Sequence, residues 1–385
     1  MADAALAYSP ALAAYELGPA HPLKPERFTL AVDLLADYGV LDSIPILEPR
    51  PASASELERV HTPGYLEELR SASSAVPQSS PLDGLGTADD PVFPGMYDAA
   101  ALVCGATLVG LRSVMDGTHR RVMCPAGGLH HAHHDHAAGF CLLNDVAVAI
   151  ADAIAGDRDL RVAYVDIDAH HGDGVQEAFY DEPQVLTVSV HESGTFLFPG
   201  TGFPDEIGHG IGLGTAANLP MPPGATDECY RAAWGGIVGP VLAAWRPDVI
   251  VAQLGADGHH ADPLTMLGLT LPGHAWLVDA IVKAADELCE GRLCATGGGG
   301  YGAFSVVPRA WASATARLAG IDLPETLPQA WRERVEALGV RPVPSTLHDD
   351  RYEHDPDNDR MLLALTGRAV EATHAALRDY LVWPT

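Results

Sequence analysis

The stretch Val165-Asp166-Ile167-Asp168-Ala169-His170-His171-Gly172-Asp173 sets carboxylates and an imidazole at alternating positions where a strand should end. Alternate strand residues share a face, so Asp168 and His170 can converge on one ion. A second carboxylate, Asp257 in Gly255-Ala256-Asp257-Gly258, would complete a set of two oxygen donors and one nitrogen. Such a set leaves coordination positions open and suits zinc or ferrous iron. The cluster from Gly127 to His136 adds adjacent imidazoles at His130 and His131, and Gly297 to Tyr301 adds a phenol on a flexible glycine run. Metal, base and oxyanion donor are then all represented, and Asp166 and Asp173 remain available to hold the two histidines. This is the layout of a metal-assisted amide hydrolase. His133, His134 and His136 read as a solvated turn rather than as ligands.

Short apolar runs at Arg121 to Pro125, Arg161 to Ile167, Val185 to Val190, Val249 to Leu254 and Arg292 to Ala295 predict buried parallel strands. Helical patterns at Asn144 to Ile154, Asp227 to Ala244 and His274 to Leu288 lie between them, as in a doubly wound α/β sheet. The chemistry-bearing motifs follow the strands, at the carboxyl ends where open α/β sheets bind ligands. Gly- and Pro-rich stretches from Ser71 to Gly95 and from Phe196 to Gly224 are too long for simple connectors and read as loops shaping the site. The expected organisation is a catalytic domain over residues 1–339. Residues 340–385 then supply a polar linker to about residue 359 and a helix, Arg360 to Tyr380, packed on or beside that domain. No internal repeat is visible.

The motifs occur in a fixed order: His21-Pro22-Leu23-Lys24-Pro25-Glu26-Arg27, Ala88-Asp89-Asp90-Pro91-Val92-Phe93, Gly128-Leu129-His130-His131, Gly139-Phe140-Cys141-Leu142-Leu143-Asn144-Asp145, the Asp168 segment, Phe198-Pro199-Gly200-Thr201-Gly202, and Gly297 to Trp311. At these residues the chain resembles the histone deacetylase family, in its class I-like bacterial branch linked to acetoin utilisation. The resemblance implies a single arginase-like α/β domain with a mostly parallel sheet flanked by helices, and a zinc- or iron-dependent lysine deacetylase. It makes His131 the general base and acid, oriented by Asp173, and His130 its electrostatic partner, oriented by Asp166. It gives Tyr301 the oxyanion, Gly139, Phe140 and Phe198 a tunnel for acetyl-lysine, Asp89 a rim contact to the substrate backbone, and Arg27 an internal channel through which acetate leaves. It also implies potassium held by backbone carbonyls of Asp166, Asp168 and His170, with Ser189 and Val190. Leu264 stands where polyamine-specific relatives carry a glutamate, which favours an acetylated protein or peptide substrate, acetyl-CoA synthetase being the suggested one. The alternatives are an acetylpolyamine or other small-amide hydrolase and a non-catalytic acetyl-lysine reader.

Composition narrows the classes further. A formal charge of -28, from 51 acidic and 23 basic side chains, disfavours nucleic-acid backbones and favours cationic partners. The six cysteines form no C-x-x-C pair, and the sequence shows no signal pattern and no apolar run near membrane-spanning length. A reducing, cytoplasmic setting without a membrane is the expectation. Oligomeric state is not legible.

Overall fold

Runs such as Val162-Ala163-Tyr164-Val165-Asp166 and Val249-Ile250-Val251-Ala252-Gln253 lack apolar/polar alternation, the pattern of a strand buried on both faces, and every residue of both is buried. The structure, a computed structural model, describes residues 3–74, 83–348 and 355–381. Its strands are β1 (Ala4–Ala7), β2 (Ile46–Leu47), β3 (Arg121–Cys124), β4 (Val162–Asp166), β5 (Val185–Glu192), β6 (Ala216–Met221), β7 (Val249–Gln253) and β8 (Leu293–Thr296). They form one sheet in the order β2-β1-β3-β8-β7-β4-β5-β6, with every pairing parallel. Helices pack against it in the α/β manner expected.

The expected strands are present with ends moved by one or two residues. One shift corrects the reading of the site: β4 stops at Asp166, so Asp168 and His170 lie in the turn beyond it and converge through loop geometry rather than strand alternation. Strand β6 corrects the assignment of Phe196 to Gly224 to loop. It holds Pro220, which cannot donate to a ladder, and it survives because it is the edge strand. The helix Pro356–Leu377 covers it, turning Leu362, Thr366, Thr373 and Leu377 inward, and the Thr373 hydroxyl donates to the Asn218 carbonyl at 2.6 Å. Capping an exposed edge in this way removes a surface open to further strand pairing.

The patterns placed other helix ends less well. The helix Asp145–Gly156 begins where Asn144 accepts from the Ala147 N–H, an N-cap. The segment expected as one helix from Asp227 to Ala244 is two, Asp227–Ala233 and Gly239–Trp245, joined by a π-helical turn at Trp234–Val238 that contains Gly235 and Gly236. Residues 345–347 are not a free linker, since Leu347 is buried and the backbone pairs with residues 325–327; residues 349–354 of that stretch, and 75–82 of the first long loop, lie outside the described residues. Among the described residues one helix, Met96–Met115, has the length and apolarity to span a membrane, contrary to the expectation from sequence, and it is mostly buried in the fold against β3 and the 145–156 helix.

Candidate active site

Cross-strand register aligns the ends of the central strands. Cys124, Thr296, Gln253, Asp166 and Ser189 form one row of partners across β3, β8, β7, β4 and β5. Immediately beyond that row stand the four chemistry-bearing turns, so residues distant in sequence meet over adjacent strands.

Asp168, His170 and Asp257 are buried, and their donor atoms lie within 4.8 Å of one another. Each carboxylate has one oxygen fixed by the protein. Asp168 Oδ2 accepts from Gln253 Nε2 at 2.6 Å and the Gly299 N–H at 2.7 Å, and Asp257 Oδ1 accepts from the Ala169 N–H at 2.8 Å. The remaining oxygens face His170 Nδ1, at 3.1 Å for Asp168 Oδ1 and 2.9 Å for Asp257 Oδ2. Burial raises Asp257, and the Asp168 charge raises it further, to about 7. Burial opposes protonation of His170, but the two carboxylates overcome it and lift the imidazole to about 10. This pocket therefore demands positive charge. Its two carboxylates and one imidazole fit a divalent ion with room for further ligands. Gly299 gives the space: a Cβ there would stand 2.1 Å from Asp257 Oδ2.

His130 and His131 flank that point. Asp166 Oδ2 accepts from His130 Nδ1 at 2.8 Å, Asp173 Oδ1 accepts from His131 Nδ1 at 2.7 Å, and the two Nε2 atoms meet at 3.0 Å. The rings are buried but titrate oppositely. Desolvation lowers both; for His130 the charges of Asp166 and Asp168 reverse it and give about 9, whereas for His131 the His130 charge adds to it and gives about 4. A cationic His130 beside a neutral His131 is the resulting pair, the state a base requires.

Several residues that hold this geometry escaped the sequence reading. Asp145 is buried and accepts from the Gly128 and Leu129 N–H groups and the Thr107 hydroxyl, while Asn144 donates to the carbonyls of His130 and Ala132. The Tyr164 hydroxyl and the Asp168 N–H both donate to Asp166. Asp262 joins two rim elements, accepting from the Leu264 N–H at 3.0 Å and the Tyr301 N–H at 2.7 Å. Only Asn144 carried a local signal, its capping position. Replacing Asp145 by Ala strands two buried N–H donors, so a loss of about 2–5 kcal/mol is expected, seen as a lower midpoint in denaturant.

At the mouth, Phe140 has φ +70° and Gly139 φ +54°, a turn that puts the Phe140 ring 5.7 Å from Tyr301. Phe198 lies 5.0 Å from His131 and 6.4 Å from His170. A Cβ on Gly139 would meet the His131 ring at 2.5 Å and Phe198 at 2.9 Å, so the glycine keeps space open between them. Tyr301 is 6.4 Å from His170, ring to ring, and burial followed by the charges of Asp257 and Asp168 holds its phenol well above the ordinary range, as a proton donor. Asp89 and Leu264 are exposed at the rim, whereas the neighbouring Asp90 is buried and raised to about 7 by desolvation and Asp89. Arg27 is buried, donating to the carbonyls of Gly298 and Gly300 and lying over Trp311. A cavity of about 10 Å³, water-sized, is lined by Leu23, Leu129 and Cys141 with the two dyad histidines, Asp168, His170 and Tyr301. Ser189 sits beside Asp166 in register with its hydroxyl on His191 Nδ1 at 2.8 Å, and Val190 follows it on β5.

The model of the histone deacetylase domain matches residues 21–318, and the chain belongs to the histone deacetylase family. It is a deacetylase by fold and family. Acetoin utilization protein AcuC of Bacillus subtilis (strain 168) is 41% identical over 358 residues, 92% of each chain, and its namesake in Staphylococcus xylosus is 35% identical over 90% of this chain and 91% of its own. A crystal structure of an HDAC homologue from Aquifex aeolicus superposes with a TM-score of 0.84 at 29% identity, covering 96% of this chain and all of that one. An HDAC homologue complexed with SAHA matches with the same TM-score at 30% identity.

Proposed function

We propose that the chain is a metal-dependent protein lysine deacetylase, hydrolysing Nε-acetyl-lysine to lysine and acetate. The convergence of Asp168, His170 and Asp257 at a buried point flanked by His131 and Tyr301 carries this reading. Zinc or ferrous iron held by these three would polarise the acetyl carbonyl and make a water acidic enough to attack it. His131 takes the water's proton at Nε2 and returns it to the departing lysine nitrogen, while Asp173 fixes the ring and supports its transient charge. His130, cationic and held by Asp166, adds positive potential on the same side. Tyr301 donates to the developing oxyanion.

Gly139, Phe140 and Phe198 form the tunnel for the lysine stem, whose four methylenes contribute on the order of 3 kcal/mol when buried. Asp89 accepts from the substrate backbone at the rim, and Arg27 guides acetate out past Gly298. Carbonyls of Asp166, Asp168 and His170, with Ser189 and Val190, bind potassium, which tunes the dyad electrostatically. Leu264 offers a second substrate cation no anchor, so peptides are preferred to acetylpolyamines. The acidic surface suits lysine-bearing proteins rather than nucleic acid, and acetylated acetyl-CoA synthetase is the partner to try first in a cytoplasmic setting.

Turnover of an acetyl-lysine peptide against acetylputrescine tests the substrate class: the peptide is the better substrate by kcat/KM, and a preference for acetylputrescine overturns that part. Tyr301→Phe is expected to lower kcat by about 10²–10³ with metal content unchanged, measured by steady-state kinetics beside metal analysis.

A further inference from the structure

Phe198, one wall of the tunnel, is 47% exposed, so burial alone does not hold its ring 5.0 Å from His131. It lies midway along a loop that closes on itself, since a Cβ on Gly194 would stand 2.6 Å from the Thr201 carbonyl oxygen. The direction of the ring is therefore set at the base of the loop, from Thr201 to Phe203. Polar side chains grip that base. The Gly202 and Phe203 N–H groups donate to the Glu206 carboxylate, both at 3.0 Å, the Gly202 carbonyl faces His191 Nε2 at 3.0 Å, and the Thr201 hydroxyl faces His171 Nδ1 at 2.8 Å. A Cβ on Gly202 would stand 2.3 Å from His191 Nε2 and 2.7 Å from the His171 ring, so the backbone is pressed onto both rings with no room for a side chain.

Gln176, buried on the helix Asp173–Ala178, ties these contacts together by using both ends of its amide. Its Nε2 donates to Glu206 Oε2 at 2.9 Å, while its Oε1 accepts from Asn218 Nδ2 at 2.6 Å and faces His171 Nε2 at 3.2 Å. The network fixes which end is which. Asn218 Nδ2 also lies 3.0 Å from the Glu206 carbonyl, which only accepts, so the Asn218 atom is the nitrogen and the Gln176 atom beside it is the oxygen. That oxygen in turn leaves the proton on His171 Nε2, and Nδ1 accepts from Thr201. A carboxylate at this position has no donor for Glu206, and an apolar side chain would strand all three partners.

We propose that Gln176 and Glu206 are positioning residues for the tunnel, a donor and acceptor pair that clamps the 201–203 turn onto His171 and His191 and so places the Phe198 wall against which the acetyl-lysine stem packs. The assignment rests on the deacetylase reading. The pair touches neither the reacting atoms nor the candidate metal ligands, so it acts through Phe198 on the grip on substrate. Asp173, at the start of the same helix, is held separately by His131 and by the Gly174 N–H, so the base keeps its partner when the pair is broken.

Exchanging the two residues in the full-length, zinc-loaded protein tests the pair. Gln176→Glu sets two carboxyl groups against each other, and Glu206→Gln sets two amide NH2 groups against each other. The double variant restores one donor and one acceptor in reversed order. Each single variant is expected to raise KM for an acetyl-lysine peptide about tenfold with kcat within about threefold of wild type, and the double variant to bring KM back to within about threefold. Zinc content is expected to be equal in all four proteins. Hydrogen exchange over residues 199–204, read by mass spectrometry, is expected to quicken in both single variants and to slow again in the double one. Wild-type KM in the single variants, a loss confined to kcat, or a double variant no better than the single ones overturns the proposal. Exchange needs no turnover, so a wild type that leaves the peptide intact while the exchange pattern holds contradicts the substrate reading and supports the clamp.

Discussion

Asp257→Asn is expected to lose the catalytic ion and to lower deacetylation by about a thousandfold or more, as befits removal of the group that activates both water and carbonyl. The substitution is nearly isosteric, and an amide oxygen can keep the bond from the Ala169 N–H that Asp257 Oδ1 now accepts. The oxygen facing His170 is replaced by a donor, and one of the two charges that call for a cation disappears. Metal analysis should show the loss while the fold persists. Stability without metal should move the other way. The Asp257 carboxyl is raised to about 7, above an unfolded value of about 3.9, so the folded state binds more protons between those limits and the metal-free wild type weakens as pH rises through them. The Asn variant lacks this dependence, and thermal melts of both metal-free proteins at pH 5 and pH 8 measure it.

His131→Ala should retain the ion and still lose about 10²–10⁴ in kcat, the range of a general acid–base. The wild-type acid limb of kcat/KM should lie below the ordinary histidine value, because burial and the His130 charge lower His131 to about 4. Activity requires neutral His131, so it falls as pH drops through that limb. Removing the His130 charge should shift the limb upward, and a pH profile of His130→Ala that keeps the wild-type acid limb would contradict the assignment of base and electrostatic partner.

Much of this site was legible because central parallel strands are written as unbroken apolar runs, and the turns after them hold the chemistry. Asp168, His170, Asp257, His130, His131 and Tyr301 could be named from type and position alone. What positions them could not. Gln253 acts on Asp168 from a neighbouring strand, Asp262 on Tyr301 from another turn, and Asp145 on the Gly128 and Leu129 amides from a helix start; none has a local pattern that announces a remote partner. Strand β6 was hidden by Pro220 and flanking glycines, β1 by its alanine-rich sequence, which carries little strand preference, and β2 by its length of two residues. The histidines after the dyad form a partly exposed turn, as their composition suggests, but the carboxylate they face, Glu177, lies far along the chain on a helix and has no local signal.

The most direct test is anomalous diffraction at the zinc edge from crystals of the full chain grown with one equivalent of zinc. A single strong peak within bonding distance of an Asp168 oxygen, His170 Nδ1 and an Asp257 oxygen is the predicted result. A peak elsewhere with that pocket empty, or the three side chains directed apart, would contradict the metal centre on which the proposed chemistry depends.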